Sequence, residues 1–413
     1  MKAEILTIGS ELTSGATVNT NAAYLARRLA EAGLDCQRQV TVGDEREALL
    51  ETLRDAQRRC DVLVTTGGLG PTFDDLTLEA ISEATQQPLV YVPKVAAIIR
   101  RFYSRSHRRL QRAALRQAYL PRGTTPLPNP IGTAPGLWLP LPDLLLIALP
   151  GVPGEMRAIM ERSVLPRLKR FGSSRVIESR TIRTVGIVEL SIEATLQRIR
   201  IPENVQLGLY PHLRAVDVRL TATASSRREA RRCLLRVETA LRRALGDVIY
   251  GADEETLEGV IGELLVRRCN TLGVAESCTG GLVSDRLTNV SGSSHYLRGS
   301  IVAYHNEMKR GCLNVPERIL DRYGAVSAQT AKRMAEGVRR LTGSDVGLAV
   351  TGIAGPTGGT TQKPVGLIYL GLSDGRRTLS KHCQFFGDRT AIKSQAAQIT
   401  LDWLRLYLLK QTV

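Results

Sequence analysis

The sequence predicts an α/β protein made of two layered α/β domains with a small α+β domain between them. Strand-like and helix-like segments alternate along residues 1–172 and again along 253–413. Residues 173–252 follow a different order: strand, helix, strand, strand, helix, strand. Because a domain commonly has about 100 to 200 residues, the length of 413 residues agrees with three such units.

The first domain is predicted to be a three-layer domain with a parallel sheet. Helical apolar spacing occupies 18–33, 45–59, 75–86 and 154–169. Between these helices lie short apolar runs that are typical of buried strands, EILTI (4–8), CQRQVTV (36–42), DVLVTT (61–66) and LLLIAL (144–149). In such sheets ligands bind beyond the carboxyl ends of the strands.

The middle domain is predicted to have the ferredoxin-like β-α-β-β-α-β order. Its predicted strands are 176–185, 205–210, 214–223 and 247–250, and its predicted helices are 189–199 and 226–244. No chemistry is visible in these segments. Because such a sheet has exposed edges that a second copy can cover, we expect a spacer or dimerisation element and a homodimer.

The last domain is predicted to be a second layered α/β domain with catalytic residues. Its predicted helices are 255–270, 280–288, 327–341 and 388–409. Its predicted strands are 272–275, 299–304, 346–350 and 365–372.

Composition excludes several classes of protein. The start MKAEILTIGS resembles no secretion signal, and no apolar run approaches the roughly 20 residues that cross a bilayer. We therefore expect a cytoplasmic protein without a membrane partner. The seven cysteines never form C-x-x-C, and the five histidines form no H-E-x-x-H pair, so neither a disulfide framework nor a zinc site is predicted.

The net charge of +16 comes mostly from arginine, as in RRFYSRSHRRLQR (100–112) and RREARR (227–232). Such charge attracts nucleic acid. However, these arginines alternate with apolar residues at helical spacing, and no base-reading motif accompanies them. Solvated helix faces are the better interpretation, and specific nucleic-acid binding is not expected.

The stretch GVAESCTGGLVSDRL (273–287) places a carboxylate, small nucleophilic side chains and two glycines where a strand is predicted to meet a helix. Gly280 and Gly281 leave room for backbone N–H groups and the helix start to face an anion. Ser277 and Thr279 are candidate nucleophiles, although the residues taken alone favour an N-cap slightly over catalysis for either hydroxyl. Cys278 is an alternative nucleophile, or a small apolar residue that packs inward.

The segment YHNEMK (304–309) follows a predicted strand and supplies a candidate base. A lysine that is partly removed from water beside a serine can take the proton of its hydroxyl, which makes Lys309 the candidate. Ordinary positions in the core for Tyr304 and on the surface for Lys309 are the alternatives. No G-x-x-x-x-G-K-[ST] sequence is present, so hydrolysis of nucleoside triphosphates is disfavoured.

The stretch TTGGLGPTFDD (65–75) is a second candidate loop, in the first domain. Its glycines fit close approach to a phosphate, its threonine fits an oxyanion, and its paired acids fit a hard divalent cation. The acids also suit the start of a helix, where they complement its dipole. The residues concerned are Gly67, Gly68, Gly70, Thr72, Asp74 and Asp75.

Taken together, these motifs resemble the CinA family, the competence/damage-inducible CinA-like proteins, along essentially the whole chain. In the amino-terminal part the matching stretches are IGSELTSGATVNTNAAYLARRLAEAG, TTGGLGPTFDDLT, LPNPIGTAPG and LPGVPGEM. In the carboxyl-terminal part they are AESCTGGLVSDRLTNVSGSS, VAYHNEMK, YGAVSAQTA, TGIAGPTGGTTQKPVG and FGDR. The first part resembles a molybdopterin-biosynthesis-type (MoCF-like) domain, and the last part resembles a pyridine-nucleotide amidase domain.

The resemblance implies two activities. The last domain would hydrolyse the carboxamide of nicotinamide mononucleotide to nicotinate mononucleotide and ammonia, without a cofactor. In some members the first domain hydrolyses ADP-ribose to AMP and ribose 5-phosphate with a divalent metal, Mg, Mn or Co. The implied catalytic residues are Ser277, Thr279, Tyr304 and Lys309, and the implied substrate-binding residues are Gly280, Gly281, Thr351, Gly352 and Arg389.

The chain departs from the family pattern in its first two domains. Arg116 stands at the lysine of the family's Asn-x-Lys-Gln-Ala, and Gly154 stands at the serine of its Pro-Gly-Val-Pro-Ser-Glu-Met. GIVEL (186–190) replaces the usual Gly-Ile-Gly-Glu-Ser. These changes put ADP-ribose hydrolysis in question, whereas the amidase motifs are intact. A DNA-uptake or repair accessory protein and a pterin-binding module of molybdenum cofactor metabolism are the alternative functions.

Overall fold

The computed structural model describes residues 1–105, 109–171 and 176–410, which divide into two compact units. The first unit consists of Met1–Glu178 with Ala222–Arg231, and the second consists of the remaining residues. The predicted boundary between residues 172 and 173 lies outside the described residues, as does part of the basic stretch 100–112.

In the first unit, every predicted strand and helix is present. The strands are β1 (Lys2–Ile8), β2 (Asp35–Val42), β3 (Val62–Thr66), β4 (Leu89–Tyr91), β5 (Tyr119–Pro121), β6 (Thr125–Leu127), β7 (Gly136–Pro140) and β8 (Leu145–Leu149). The helices are α1 (Ser10–Thr13), α2 (Thr20–Glu31), α3 (Arg46–Arg59), α4 (Thr77–Ala84), α5 (Pro93–Arg105), α6 (Pro153–Ile159) and α7 (Leu165–Phe171). Strands β4 to β7 and helices α1 and α5 were not predicted.

The described strands of this unit form a central sheet in the order β2-β1-β3-β8-β7-β6. Strands β2, β1, β3 and β8 are parallel, as predicted, whereas β7 and β6 are antiparallel additions at one edge. Successive side chains of a strand point to opposite faces. Accordingly, Leu6 and Ile8 pack in one core with α3 and α4, while Ala3 and Ile5 pack in another with α2 and α6. Helices therefore cover both faces.

The middle segment has the predicted ferredoxin-like order. Its elements are β9 (Val176–Thr184), α8 (Glu189–Leu196), β10 (Val205–His212), β11 (Ala215–Ala224), α9 (Arg227–Leu245) and β12 (Ile249–Ala252). The strands lie in the order β10-β11-β9-β12, and β9 and β12 are antiparallel. The first and third strands are thus central, which is the arrangement of this fold.

The last segment is a second layered α/β domain, as predicted. Its strands are β13 (Leu272–Glu276), β14 (Leu297–Val302), β15 (Val346–Gly352), β16 (Leu367–Ser373) and β17 (Thr378–Gln384). Its helices are α10 (Leu257–Arg267), α11 (Leu282–Thr288), α12 (Asn306–Gly311), α13 (Glu317–Tyr323), α14 (Ala328–Thr342) and α15 (Arg389–Lys410). Helices α12 and α13 and strand β17 were not predicted.

The described strands of this domain lie in the order β14-β13-β15-β16-β17. Strands β14, β13 and β15 are parallel, and β16 and β17 are antiparallel to their neighbours. One face packs against α10, α11 and α15, and the other packs against α13 and α14. The carboxyl ends of the three parallel strands therefore meet at one edge of the sheet.

Helix α14 lies unusually close to the sheet because glycine stands beneath it on neighbouring strands. A Cβ atom on Gly347 of β15 would lie 2.1 Å from the carbonyl oxygen of Ala335. One on Gly371 of β16 would lie 2.1 Å from the carbonyl oxygen of Ala331. Neither position can accept a side chain unless the helix moves away.

Candidate active site

The candidate active site is a cavity of about 260 Å³ at the carboxyl ends of β13, β14 and β15. Glu276, the last residue of β13, is in register with Val302 of β14 and Val350 of β15. The residues that follow these three positions therefore start side by side. Of the predicted site residues, the cavity is lined by Ser277, Tyr304, Lys309, Thr351, Gly352 and Arg389.

Lys309 is buried, and its ammonium group lies at the cavity rather than on the surface. Its side chain lies in α12 and is 1% exposed. Its Nζ donates hydrogen bonds to the carbonyl oxygens of Ala303 at 2.9 Å and Tyr304 at 3.2 Å. Burial lowers the pKa of Lys309, because removal from water disfavours the charged form. The surface alternative for this lysine was wrong.

Ser277 and Thr279 have different surroundings, although both are buried. Ser277 lines the cavity, and its backbone N–H donates to the carbonyl oxygen of Val350 at 3.0 Å. Thr279 is 0% exposed and is not among the residues that line the cavity. Its hydroxyl has no hydrogen-bond partner within the described chain. Of the two residues that carry the candidate hydroxyls, only Ser277 lines the cavity that Lys309 also lines.

Cys278 lines the cavity next to Ser277, but it also packs against the core of the domain and is 6% exposed. Burial raises the pKa of its thiol to about 12, so the thiol is protonated at neutral pH. A thiolate, rather than a thiol, is the effective nucleophile. The structure thus favours the small-hydrophobe interpretation of Cys278.

The backbone N–H groups at the start of α11 are not available to an anion from solvent, because they donate hydrogen bonds to Glu276. This fully buried carboxylate accepts backbone hydrogen bonds from Gly281 at 2.9 Å, Val283 at 3.1 Å and Ser284 at 2.8 Å. It also accepts the hydroxyl of Ser284 at 2.5 Å. The interpretation of Gly280 and Gly281 as an anion cradle is therefore corrected. Their φ angles of 64° and 100° instead shape the turn that brings these N–H groups onto Glu276.

Arg389 joins two sides of the cavity. Its Nη1 donates to the carbonyl oxygen of Gly355 at 2.6 Å, and its Nη2 donates to the hydroxyl of Tyr304 at 2.5 Å. Tyr304 is 59% exposed, which excludes the core position considered as its alternative. On the opposite side, the hydroxyl of Thr351 donates to the carbonyl oxygen of Ala325 at 2.9 Å. These contacts fix the rim while the backbone around Gly352 forms the floor.

Sequence reasoning missed several residues of the site. Asn306 and Thr357 line the cavity, and both lie in motifs that had been recognised, YHNEMK and TGIAGPTGG. Ala325 and Val326 line it from the YGAVSAQTA stretch. Their motifs were the available signal, but the side of the cavity that each residue reaches depends on the fold.

The loop TTGGLGPTFDD of the first unit follows β3, as predicted, and is a tightly closed turn. Gly67 has a φ of 115°, and a Cβ atom there would lie 2.1 Å from the carbonyl oxygen of Ile8. Gly68 has a φ of 62°, and its Cβ would lie 2.2 Å from the hydroxyl of Thr77. These glycines are thus required by the packing of the loop on its own domain.

Asp75 holds this loop together. Its Oδ2 accepts hydrogen bonds from the backbone N–H of Thr72 at 2.8 Å and from the Thr72 hydroxyl at 2.5 Å. Gly70 lies against the same carboxylate, since a Cβ there would be 2.3 Å from Oδ2. Asp74 is exposed. The oxyanion-binding hydroxyl predicted at Thr72 is therefore already used within the loop.

The divalent metal expected at Asp74 and Asp75 stays a prediction, and Asp75 is hydrogen-bonded within its own loop. Among the described residues of the chain, no group of three or more His, Cys, Asp or Glu side chains could hold a metal ion. Arg116 instead brings a positive charge, donating to Glu79 at 2.9 Å and to the carbonyl oxygen of Thr72 at 3.2 Å. At Gly154, a Cβ atom would meet nothing within 4 Å, so the missing serine leaves open space.

Comparisons with known proteins match all three domains. Residues 254–408 match the CinA C-terminal domain, residues 179–251 match the damage-inducible protein CinA KH domain, and residues 4–170 match a domain described as "probable molybdopterin binding domain". A CinA-like protein of Dictyoglomus thermophilum is 44% identical over 410 residues, which is 99% of this chain and 100% of that protein. The chain belongs to the CinA family.

A second relative over nearly the full length agrees. A CinA-like protein of Salinibacter ruber is 44% identical over 408 residues, covering 98% of this chain and 99% of that protein. The crystal structure of CinA from Thermoplasma acidophilum is 34% identical and covers 40% of this chain and 97% of its own, with a TM-score of 0.38. Within the described part of this CinA family member, no helix has the length and apolar character needed to span a membrane.

Proposed function

We propose that this CinA family member is an amidase that converts nicotinamide mononucleotide to nicotinate mononucleotide and ammonia in its carboxyl-terminal domain. The observation that carries the proposal is the buried Lys309, which shares a cavity with Ser277. Serine needs a base to become a nucleophile, and a lysine serves when burial lowers its pKa. Lys309 meets this requirement.

The contacts of Lys309 suit a neutral amine. A neutral amine has two N–H groups and one lone pair, and the carbonyl oxygens of Ala303 and Tyr304 engage two N–H groups. The lone pair is then left for a proton from the cavity side, where Ser277 lies. This arrangement supports transfer of the hydroxyl proton of Ser277 to Nζ.

The reaction proceeds in two steps. Ser277 Oγ bonds to the carboxamide carbon as its proton passes to Lys309, and the amide C–N bond then breaks as Lys309 gives that proton to the leaving nitrogen, releasing ammonia. Water next attacks the ester, with one proton passing through Lys309 to Ser277 Oγ. The products are a carboxylate and the original serine.

The positive charge of Arg389 favours binding of a negatively charged substrate. Its guanidinium lies at the rim of the cavity, where it can attract a phosphate group while it positions Tyr304. The turn containing Thr357 and Gly358 lines the same cavity and offers backbone groups to that part of the substrate. A nucleotide whose ring enters the cavity and whose phosphate stays at the rim fits these features.

The proposal is restricted to the amidase. Metal-dependent hydrolysis of ADP-ribose needs carboxylates that converge on a cation, whereas Asp75 is hydrogen-bonded within its own loop and Asp74 is exposed. The first domain therefore offers no comparable support for its implied activity.

The test is ammonia release from nicotinamide mononucleotide by the purified full chain. Wild type is expected to release ammonia, and Ser277→Ala is expected to lose activity by at least about 10²-fold, as for loss of a nucleophile or base. Thr279→Ser, which keeps the buried hydroxyl, is the matched control and should keep most activity. A Ser277→Ala protein with a normal circular dichroism spectrum and full turnover would remove Ser277 from this role.

A further inference from the structure

The second unit contains another cavity, of about 450 Å³, that shares no described lining residue with the candidate active site. It lies between the middle sheet and the last domain, where the turn after β10 faces β17 and α15. Its volume falls within the range of about 300 to 1,000 Å³ that is usual for small-molecule sites. No step of the proposed amidase reaction uses it.

Two cations converge on this cavity. The side chain of Lys381 lines the cavity, and its charge lowers the pKa of the Cys383 thiol against the larger opposite effect of burial. Arg214 acts on the same thiol in the same sense. Both positive charges therefore lie close to one point on the cavity wall.

Arg214 is held only weakly in the free protein. Its Nε donates to Gln395 at 3.3 Å and its Nη2 to the carbonyl oxygen of Gln384 at 3.5 Å, which are long contacts for a guanidinium. It has a φ of 59°, a left-handed conformation that is uncommon for a residue other than glycine. This conformation belongs to the two-residue turn between β10 and β11, and the guanidinium, apart from its position over the Phe385 ring, has only these two long hydrogen bonds within the described chain.

The acids of the cavity do not cancel these cations. Asp402 accepts two hydrogen bonds from Arg405, at 2.9 and 2.7 Å. Burial raises the pKa of Asp402, and Arg405 opposes this effect more strongly than Lys381 does, so Arg405 is the main partner of this carboxylate. Asp247 is exposed to solvent. The rest of the wall includes the apolar side chains of Ile399 and Leu406. The cavity therefore offers an apolar surface next to two available positive charges.

The wall of this cavity continues into the active site. Gln384 and Phe385 line it. Arg389, which donates a hydrogen bond to Tyr304, lies four residues after Phe385. The guanidinium of Arg214 lies over the Phe385 ring at 5.2 Å. Gln395, which accepts the bond from Arg214, also donates to the carbonyl oxygen of Phe386 at 2.8 Å. Movement of Arg214 would therefore change the contacts of Phe385 and Phe386, which belong to the segment that carries Arg389.

We propose that this cavity binds a small metabolite with an apolar body and one phosphate or carboxylate group, which Arg214 and Lys381 hold. We further infer that occupancy changes the active site through residues 384–389. The binding does not depend on the proposed amidase function, whereas the second statement rests on it.

The binding test uses phenyl phosphate and benzoate as probes and benzyl alcohol as the neutral control, measured by calorimetry on the full chain. At least one anionic probe should bind wild type, and the binding should exceed that of benzyl alcohol. The double variant Arg214→Ala/Lys381→Ala should bind at least about tenfold more weakly, since each lost charged partner costs more than a neutral hydrogen bond. Which anion binds identifies the recognised group.

Two further variants keep this test decisive. Arg318→Ala removes the same charge from an exposed position in α13 and should change the affinity less than twofold. Ile399→Trp fills the cavity without changing its charge and should also abolish binding. Failure of both anions to bind, equal binding of benzyl alcohol, or undiminished affinity in the double variant would overturn the site.

The coupling test measures ammonia release from nicotinamide mononucleotide with the bound probe at saturation. The KM or kcat should change by at least about twofold in wild type and should not respond to the probe in Arg214→Ala/Lys381→Ala. A probe that binds without altering either constant would refute the coupling. If wild type releases no ammonia at all, the amidase proposal fails and the calorimetric result still decides the binding site.

Discussion

Arg389 donates hydrogen bonds to the hydroxyl of Tyr304 at 2.5 Å and to the carbonyl oxygen of Gly355 at 2.6 Å. One guanidinium thus connects the segment after β14 with the loop after β15. The planar fork of arginine makes two directed bonds at once, which the single ammonium group of lysine cannot reproduce.

This relationship predicts that Arg389→Lys lowers kcat/KM for nicotinamide mononucleotide by at least about tenfold, because charge-assisted hydrogen bonds are lost at the rim. Tyr304→Phe, which removes the acceptor of one bond, should lower it less. Arg376→Lys, at an exposed turn, is the matched control and should match wild type. An unchanged kcat/KM in Arg389→Lys, measured by steady-state kinetics, would contradict a role for the two hydrogen bonds of Arg389.

The lowered pKa of Lys309 predicts the pH dependence of activity. Because the neutral amine is the base, kcat/KM should rise with pH through this pKa, which lies below the usual value near 10.4. Lys309→Arg, which stays charged, should lose at least about 10²-fold at every pH. A wild-type profile that shows no rise with pH anywhere in the range where the protein stays folded would argue against a lysine base.

The same pKa predicts a stability effect with a definite sign. Between the lowered pKa of folded Lys309 and about 10.4, the unfolded chain binds more protons, so the free energy of unfolding rises with pH. Below that window the full cost of burying the charge is present. Urea titration measures the free energy of unfolding of both proteins. The value for wild type minus the value for Lys309→Met should therefore become more positive as pH rises. A difference independent of pH would contradict the burial argument.

Glu276→Gln is predicted to destabilise the carboxyl-terminal domain by about 2 to 4 kcal/mol, since an amide offers one acceptor oxygen where the carboxylate serves four donors. Glu254→Gln changes the same group at an exposed position and should stay within about 0.5 kcal/mol of wild type. Thermal and urea unfolding measure both. Equal stability of the two variants would show that Glu276 does not hold α11.

Cys278→Ala is predicted to keep most amidase activity, because a thiol with a pKa of about 12 is not the nucleophile. Iodoacetamide should likewise inactivate wild type and this variant to the same extent. Loss of a reacting group typically lowers activity by about 10²-fold or more. A loss of amidase activity of that size in a normally folded Cys278→Ala protein would indicate that the thiol takes part in the reaction.

In the first domain, Asp75→Asn and Asp74→Asn form a matched pair. Asp75→Asn should cost about 1 to 2 kcal/mol of stability, because it weakens the bonds that close the loop on Thr72. Asp74→Asn should change stability by less than about 0.5 kcal/mol. Tight divalent-metal binding that only the double variant abolishes would instead favour the metal site expected from the sequence.

The sequence predicted the layers and the strand ends well because both follow from hydrophobic periodicity. Strands β4, β5 and β6 were missed because three residues are too few to show a period. The meeting of Ser277 and Lys309 followed from the rule that parallel strands end together. The burial of Lys309 did not follow, since neighbouring Met308 is 43% exposed and only the tertiary fold distinguishes the two.

The role of Glu276 was equally hidden. Its carboxylate reaches the backbone of α11 only because Gly280 and Gly281 take positive φ angles together, and spacing in the sequence cannot distinguish that turn from an open anion cradle. The resemblance to the CinA family supplied residue roles, whereas the contacts within the domain decided which of those residues reach the cavity.

Gly347 and Gly371 do not line the cavity, but they determine how close α14 lies to the sheet. They let α14 rest on the sheet, and Ala325 and Val326, which precede its first turn, form the part of the wall to which the Thr351 hydroxyl is hydrogen-bonded. A methyl group at either glycine would raise the helix and draw that wall outward, with no change to any residue that touches substrate. We therefore expect the position of this wall to depend on the absence of two side chains beneath a helix.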